Sequence, residues 1–255
     1  MEWRDTGVVL AARRHGESAV VAELLTREHG RHAGLVRGGQ SPQRRALLQP
    51  GNSVAAMWRG RLPEHLGSFD CELLDARAAR LLDDPDRLAA LTAASALLLT
   101  ALPEREPHPD LYRSFEILLT ALDPAPRTGG DSVAWMQIYV TWECDLLAAL
   151  GFGLDLGRCV ATGSNQDLAY VSPRTGRAVS RTAGAPYHEK LLPLPGFLWR
   201  DETATPADVV AGLMLTRHFL LHHLLLPQGG KLPEARDRLA ERMRRNAASG
   251  SITPA

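Results

Sequence analysis

The hydrophobic pattern of the chain changes near residue 76, and that change limits the folds it can adopt. Before it, five apolar segments of strand length are separated by residues that favour turns, such as glycine, proline and asparagine. They cover residues 6–14, 19–26, 31–38, 53–60 and 65–74. The last segment alternates apolar and acidic residues, as a strand with one solvated face does. Short strands joined by close turns predict a small closed or partly open β-barrel.

After residue 76 the apolar residues recur at helical spacing. The pattern predicts helices over residues 86–101, 109–122, 131–150, 206–226 and 233–245, followed by a disordered tail. The fold class is therefore α+β with more than one domain. We place the barrel domain at residues 1–78, an α-helical domain at 79–245 and the tail at 246–255.

Charge is distributed unevenly along a chain whose formal net charge is zero. Residues 1–80 carry +3, residues 81–216 carry −7 and residues 217–255 carry +4. No acidic residue lies between Glu28 and Glu64. That acid-free segment holds Arg31, Arg37, Arg44, Arg45, Arg59 and Arg61. Arginines on a small barrel, with Trp58 as a stacking surface, suit single-stranded nucleic acid. A solvated hairpin with ordinary surface arginines is the alternative.

Composition indicates a soluble protein of the cytoplasm. The longest apolar runs are broken well before the length of a membrane span, and the N-terminus lacks the apolar core of a signal peptide. Three cysteines at wide spacings, Cys71, Cys144 and Cys159, suggest reduced thiols rather than a disulfide framework.

Residues 155–184 have the shape of a zinc ribbon, because a strand-like segment lies between two elements rich in turn residues. A structural zinc ion requires four ligands, which two pairs of cysteines commonly supply. Here only Cys159 is present, and Thr162, Ser180 and Ala183 occupy the other three positions. We therefore expect no metal, and an insertion held together by packing and hydrogen bonds.

Motifs for catalysis are missing from the sequence. It contains no nucleophile elbow, no phosphate-binding lysine motif, no glycine-rich dinucleotide motif and no HExxH pair. His218 and His222 are spaced so that both would lie on one helix face, but leucines surround them. Packing histidines are the preferred interpretation, with metal binding as the alternative. We expect a protein that is not an enzyme and that needs no cofactor.

Several segments, in the same order along the chain, resemble the bacterial RecO family of recombination mediator and DNA repair proteins. They begin with TGVVLAARRHGESAVVAELLTREHGRHAGLVRGGQS and LLQPG. They continue with LLAALGFGLDLGRC, DLAYVSPRTGRAVS and PYHEKLLPLPGFL. The last is LTRHFLLHHLLLPQGGKLPEARDRLAERM. Together they cover nearly the whole chain.

The resemblance implies an N-terminal OB-fold followed by an α-helical domain that carries a zinc-ribbon-like insertion. It implies binding of single- and double-stranded DNA, annealing of complementary strands and help in loading the recombinase RecA. It implies two protein partners, RecR and the acidic C-terminal tail of single-stranded-DNA-binding protein, and a nucleoid-associated location. Family members with four cysteines bind zinc, so this chain is similar to the branch without metal.

Two hypotheses from different classes follow. In the first, the arginines of the barrel bind and anneal DNA. In the second, the chain is mainly an adaptor whose helical domain binds RecR and single-stranded-DNA-binding protein, with weak direct DNA contact. For a partner surface, the basic residues near the C-terminus are the candidates: Arg217, Arg236, Arg238 and Arg242.

Overall fold

The computed structural model describes residues 1–62, 64–124 and 133–249. These residues divide into two compact units. The first contains the chain up to residue 124 together with 233–236, and the second contains 133–232 with 237–249. The first unit continues past the boundary that we place at residue 78, because three helices after the barrel are part of it.

A closed five-stranded barrel forms the N-terminal part of the first unit. Its strands are β1 (Glu2–His15), β2 (Ala19–Thr26), β3 (Gly30–Val36), β4 (Ser53–Arg59) and β5 (Ser68–Asp75). They are arranged in the order β1-β2-β3-β5-β4, and β3 runs parallel to β5 while the other pairs are antiparallel. This is the OB-fold arrangement, in which closure leaves no strand edge exposed.

Alternation along the strands places one set of side chains inside the barrel. Val9, Leu24, Val54 and Phe69 belong to this core. A short helix, α1 (Pro42–Leu47), joins β3 to β4 and was not predicted. It begins where the Ser41 side chain accepts a hydrogen bond from the backbone amide of Arg44, and proline follows directly as the first helical residue.

Helices α2 (Arg77–Arg80), α3 (Pro85–Ala101) and α4 (Pro109–Leu122) complete the first unit. The Asp84 side chain caps α3 by accepting hydrogen bonds from the backbone amides of Asp86 and Arg87. The predicted start of this helix is therefore confirmed. The chain between α3 and α4 contacts the barrel, since the backbone amide of Arg105 donates to the carbonyl of Arg31 at 2.7 Å.

The second unit consists of helices and a small sheet. Its helices are α5 (Ala134–Ala149), α6 (Arg181–Gly184), α7 (Pro206–Phe219) and most of α8 (Glu234–Ala248). Its sheet has the order β7-β6-β8, formed by β6 (Leu168–Val171), β7 (Ala178–Ser180) and β8 (Leu192–Pro193). A π-helix, Leu220–Leu225, and a 3-10 turn, Leu226–Gln228, continue α7.

The continuous helix of residues 206–228 is long and apolar enough to cross a membrane by length and composition. Half of its most apolar window is buried inside the protein. A capping box between Thr205 and Asp208 fixes its start.

The structure confirms one predicted helix end within a residue and corrects another. The fifth helix ends at Ala149 as predicted within one residue, and residues 131 and 132 of its predicted start lie outside the described chain. The last helix continues to Ala248, so residues 246–248 do not belong to a disordered tail. Two alanines, the best helix formers, explain the extension. The predicted tail from residue 250 onward lies outside the described residues.

Candidate nucleic-acid interface

Carboxylates from other strands pair with three of the six arginines of the acid-free segment. Arg31 Nη1 lies 2.6 Å from Glu23 Oε2, Arg44 Nη1 lies 3.2 Å from Asp70 Oδ1, and Arg59 Nε lies 2.8 Å from Glu2 Oε2. The hydrogen bond from Arg59 lowers the pKa of the Glu2 carboxyl. Arg44 thus has an acidic partner although its segment of the sequence contains no acid, because the fold brings in acids that are distant in sequence.

Arg31 is largely buried in the first unit. Its side chain is only 14% exposed. It donates from Nε to the carbonyl oxygen of Leu102 at 3.0 Å, in addition to its contact with Glu23. These bonds connect β3 to the chain after α3, so Arg31 is a structural residue in this arrangement.

Trp58 is a core residue and offers no stacking surface for a base, which corrects the sequence prediction. It is 1% exposed, and its indole Nε1 donates to the carbonyl of Leu66 at 3.1 Å. Its ring packs against Trp3 and His32, with centroid distances of 5.9 and 5.1 Å. In β4 it alternates inward, whereas its neighbour Arg59 faces solvent.

Arg37, Arg45 and Arg61 remain exposed, and no carboxylate within the described ranges pairs with them. Arg45 lies in α1, and Arg37 lies in the turn that follows β3. Arg61 lies in the connection between β4 and β5. It is not among the residues that line the cavity described next, whereas Arg45 is.

A cavity of about 320 Å³ opens where the end of β1, the start of β2 and α1 meet. Arg14 and Arg45 are its two charged lining residues. The other residues that line it are Ala12, Val20, Gly39, Gln40, Leu48, Gln49 and Pro50. None of these lining residues is acidic, so the cavity attracts anions.

Arg14 is held in position at the rim of the cavity by Gln40. Its Nε and Nη2 donate to Gln40 Oε1 at 2.8 and 2.6 Å. The amide nitrogen of Gln40 in turn donates to the carbonyls of Gly16 and Ala19 at 3.0 and 3.1 Å. A guanidinium that is fixed by a neutral amide keeps its full charge for an anionic ligand.

Sequence reasoning missed Arg14 and Gln40. The double arginine of AARRHGES, at the end of a strand and before a turn, was the available signal. Its neighbour Arg13 differs, because Arg13 pairs with the mostly buried Glu23. Only the fold distinguishes the two, since alternation along β1 sends their side chains to different faces.

In the second unit, some of the predicted partner-binding arginines share another cavity. It has a volume of about 650 Å³, and Arg217 and Arg238 line it together with His218, His222 and Arg244. Met214 and Leu192 supply apolar surface. Arg217 Nε lies 3.1 Å from Asp237 Oδ1, which also lines the cavity.

The other two predicted partner-binding arginines do not line this cavity. Arg236 is fully buried, so its prediction as a surface contact is wrong. Arginines and apolar residues are closely interspersed along α8, so one of the arginines lies on the buried face of the helix. Arg242 is half-buried on the same helix.

The histidines of the second unit bind a backbone carbonyl. His218 Nε2 and His223 Nε2 lie 3.1 and 2.8 Å from the carbonyl oxygen of Pro173. Burial lowers the pKa of His218. The described residues contain no group of three histidines, cysteines or carboxylates that could hold a metal ion.

Comparison with known proteins accounts for the whole chain. The family model for the N-terminal part of recombination protein O matches residues 1–77, and the model for its C-terminal part matches residues 82–231. The chain is 53% identical over 257 residues to the DNA repair protein RecO of Rhodospirillum centenum, with all of both chains covered. It is 53% identical to that of Rhodospirillum rubrum, covering 98% of this chain and 99% of the relative. The chain belongs to the RecO family.

Membership of the RecO family places the chain in DNA repair and recombination. The names of these relatives state DNA repair and no catalytic activity. The two matched parts meet between residues 77 and 82, where the strand pattern of the sequence ends.

The zinc associated with some RecO proteins does not fit the residues of this chain. Cys159, Thr162 and Ser180 do lie together, since the Ser180 amide donates to the Cys159 sulfur at 3.2 Å and Ser180 Oγ lies 3.5 Å from it. Burial raises the pKa of this thiol, but hydrogen bonds from Ser180 and Thr162 outweigh it and lower the pKa to about 6. One thiol, two hydroxyls and Ala183 do not make a tetrahedral zinc site. Hydrogen bonds between Cys159 and Ser180 connect the chain before β6 to β7 instead.

Proposed function

We propose that this RecO family member is a non-enzymatic recombination mediator. It binds single- and double-stranded DNA, anneals complementary single strands and helps load recombinase in RecF-pathway repair. It works in the cytoplasm, associated with the nucleoid, with RecR and single-stranded-DNA-binding protein as partners. The observation that carries the proposal is a cavity whose lining residues include Arg14 and Arg45 and no acid, with the exposed Arg37 in the turn that supplies Gly39 and Gln40 to that lining.

Annealing requires no bond chemistry. Two polyanionic strands must approach each other, and cationic side chains offset their repulsion while counterions are released. Contacts to phosphates hold a strand without reading its sequence. Arginines that keep their charge available, rather than paired with a carboxylate, support this role.

The test is the salt dependence of single-strand binding by a variant with Arg37→Ala and Arg45→Ala. Because each lost phosphate contact removes about 0.7 from the slope of log affinity against log salt, we expect the slope to flatten by about 1.4. The affinity near physiological salt should fall on the order of tenfold. Fluorescence anisotropy of a labelled oligonucleotide measures both.

The matched control replaces Arg4 and Arg27 by alanine in the same barrel. Both are exposed, and both lie away from the cavity, near the start of β1 and after the end of β2. This variant has the same net charge as the test variant, and its slope should equal that of the wild type. Equal slopes for all three proteins would show that Arg37 and Arg45 are not the phosphate contacts.

A second candidate function is that of a protein adaptor, and the cavity of the second unit favours it. Three arginines, Arg217, Arg238 and Arg244, line it with two acids, Asp237 and Glu241, so arginines outnumber acids by one, and Met214 provides exposed apolar surface. That combination suits an acidic peptide with a hydrophobic end, such as the tail of single-stranded-DNA-binding protein. Strong peptide binding without measurable DNA affinity would favour the adaptor.

A further inference from the structure

The cavity beside Arg14 and Arg45 has more apolar lining than a phosphate alone would use. Val20 and Leu48 are buried at its floor, and Pro50 and the exposed Ala12 contribute further apolar surface. A phosphate gains nothing from aliphatic contacts, whereas a nucleobase has two apolar faces and a polar edge. The lining therefore matches a whole nucleotide, with a charged part and a flat apolar part.

Size agrees with that composition. Pockets for small molecules begin at about 300 Å³, and the volume here is about 320 Å³. The space suits one nucleotide rather than a stack of several. No aromatic ring lines the cavity, so the base would be enclosed by aliphatic side chains rather than stacked on a ring.

Polar groups at the rim are arranged for both parts of a nucleotide. Two nitrogens on one edge of the Arg14 guanidinium, Nε and Nη2, donate to Gln40, which leaves Nη1 for a phosphate oxygen. Gln49 donates its Nε2 to the carbonyl of Arg45 at 3.0 Å. Its Oε1 accepts no hydrogen bond from any residue that the structure describes, so it can accept one from the polar edge of a base.

We propose that this cavity holds one unpaired nucleotide of single-stranded DNA, with the base against Val20, Leu48 and Pro50 and its phosphate between Arg14 and Arg45. The inference rests on the proposed DNA-binding function and specifies its ligand. In a duplex the bases are stacked and paired, and turning one out costs a few kcal/mol. The cavity therefore makes the barrel select single strands over duplex, which is a property that surface arginines alone do not supply.

The experiment compares oligothymidylate with a strand of the same length in which abasic residues replace the nucleotides. Both strands carry the same phosphates, so only contacts with bases differ. We expect the wild-type protein to bind oligothymidylate at least about fivefold more tightly than the abasic strand. Equal affinity for the two strands overturns the proposal and leaves phosphate binding standing. If neither strand binds, the proposed function itself fails.

A variant that fills the cavity without changing any charge provides the second measurement. Ala12→Ile adds apolar volume at an exposed lining position of β1, where a β-branched residue suits the strand. It should lower the affinity for oligothymidylate about fivefold and leave the affinity for the abasic strand unchanged. The matched control is Ala55→Ile on β4, which lines a different cavity and should change neither. A loss for both strands in the Ala12→Ile protein would contradict a base site.

Discussion

At the scale of single residues, His32 makes the stability of the barrel depend on pH. Rings of Trp3, Trp58 and Phe69 surround it, and neither ring nitrogen has a hydrogen-bond partner within the described part of the chain. Burial lowers its pKa to about 4, with smaller contributions from the nearby positive charges of Arg105 and His29. The folded state therefore keeps this imidazole neutral at a pH where the unfolded chain already protonates it.

The consequence is a loss of stability on acidification between about pH 6.5 and pH 4. In that interval the unfolded state binds one more proton, so the free energy of unfolding falls with pH by a total on the order of 3 kcal/mol. Above about pH 6.5 His32 adds nothing to the pH dependence of the free energy of unfolding. Urea titrations at several pH values should show this decline in the wild type and a weaker one in His32→Leu. His15→Leu, at an exposed position, is the control and should retain the decline; an unchanged decline in His32→Leu would refute the assignment.

At the scale of elements, the segment between α3 and α4 seals the barrel beside β3. Glu104 forms a parallel bridge with Arg31, and Arg105 Nη2 donates to the carbonyls of Glu64 and His65 at 3.1 and 3.2 Å. The approach is so close that a Cβ on Gly30 would lie 2.0 Å from the carbonyl oxygen of Glu106. The third strand begins with glycine because no other residue leaves room for this segment.

Two alanine substitutions isolate that contact, because Gly30 and Gly16 have nearly the same backbone angle, with φ of 67° and 62°. Nothing lies within 4 Å of a Cβ on Gly16, so Gly16→Ala should cost only the left-handed strain of about 1 kcal/mol. Gly30→Ala carries the same strain and also displaces backbone, so its unfolding free energy should fall by more than about 3 kcal/mol. Urea unfolding of the two variants measures the difference. Similar losses of unfolding free energy in the two variants would mean that the segment between α3 and α4 moves aside at little cost.

Local pattern predicted the elements far better than it predicted the site. Turn residues and the apolar pattern predicted a strand over residues 19–26, and β2 in the structure is Ala19–Thr26. Helix α1 escaped notice because its six residues carry no apolar period, although Ser41 and Pro42 mark its start. For the site, an acid-free stretch of sequence was not acid-free in space: Glu2, Glu23 and Asp70 come from other strands. Pairing across strands depends on register, which a single sequence does not display.

At the scale of the whole molecule, a formal net charge of zero conceals two cavities, one in each unit, that are lined by arginines. The barrel cavity has two arginines, of which Gln40 holds Arg14 in place, and a small aliphatic lining. The cavity of the second unit combines arginines with histidines, two acids and an exposed methionine. Salt screens exposed charges beyond about 8 Å at physiological ionic strength, so each cavity acts through its own groups rather than through the total charge. We therefore expect that the proposed mediator and adaptor activities can be removed one at a time.

That separation predicts opposite effects of two variants that have the same net charge. Arg238→Ala with Arg244→Ala should weaken binding of an acidic peptide with a hydrophobic end by about tenfold and leave single-strand affinity unchanged. Arg37→Ala with Arg45→Ala should do the reverse. Arg177→Ala with Arg181→Ala, which removes two exposed arginines from surface ion pairs of the second unit, is the control and should affect neither ligand. Anisotropy titrations with labelled peptide and labelled oligonucleotide give all six affinities. If the first variant lost DNA binding as well, the two cavities would have to serve one ligand, and the adaptor activity would not be separate from annealing.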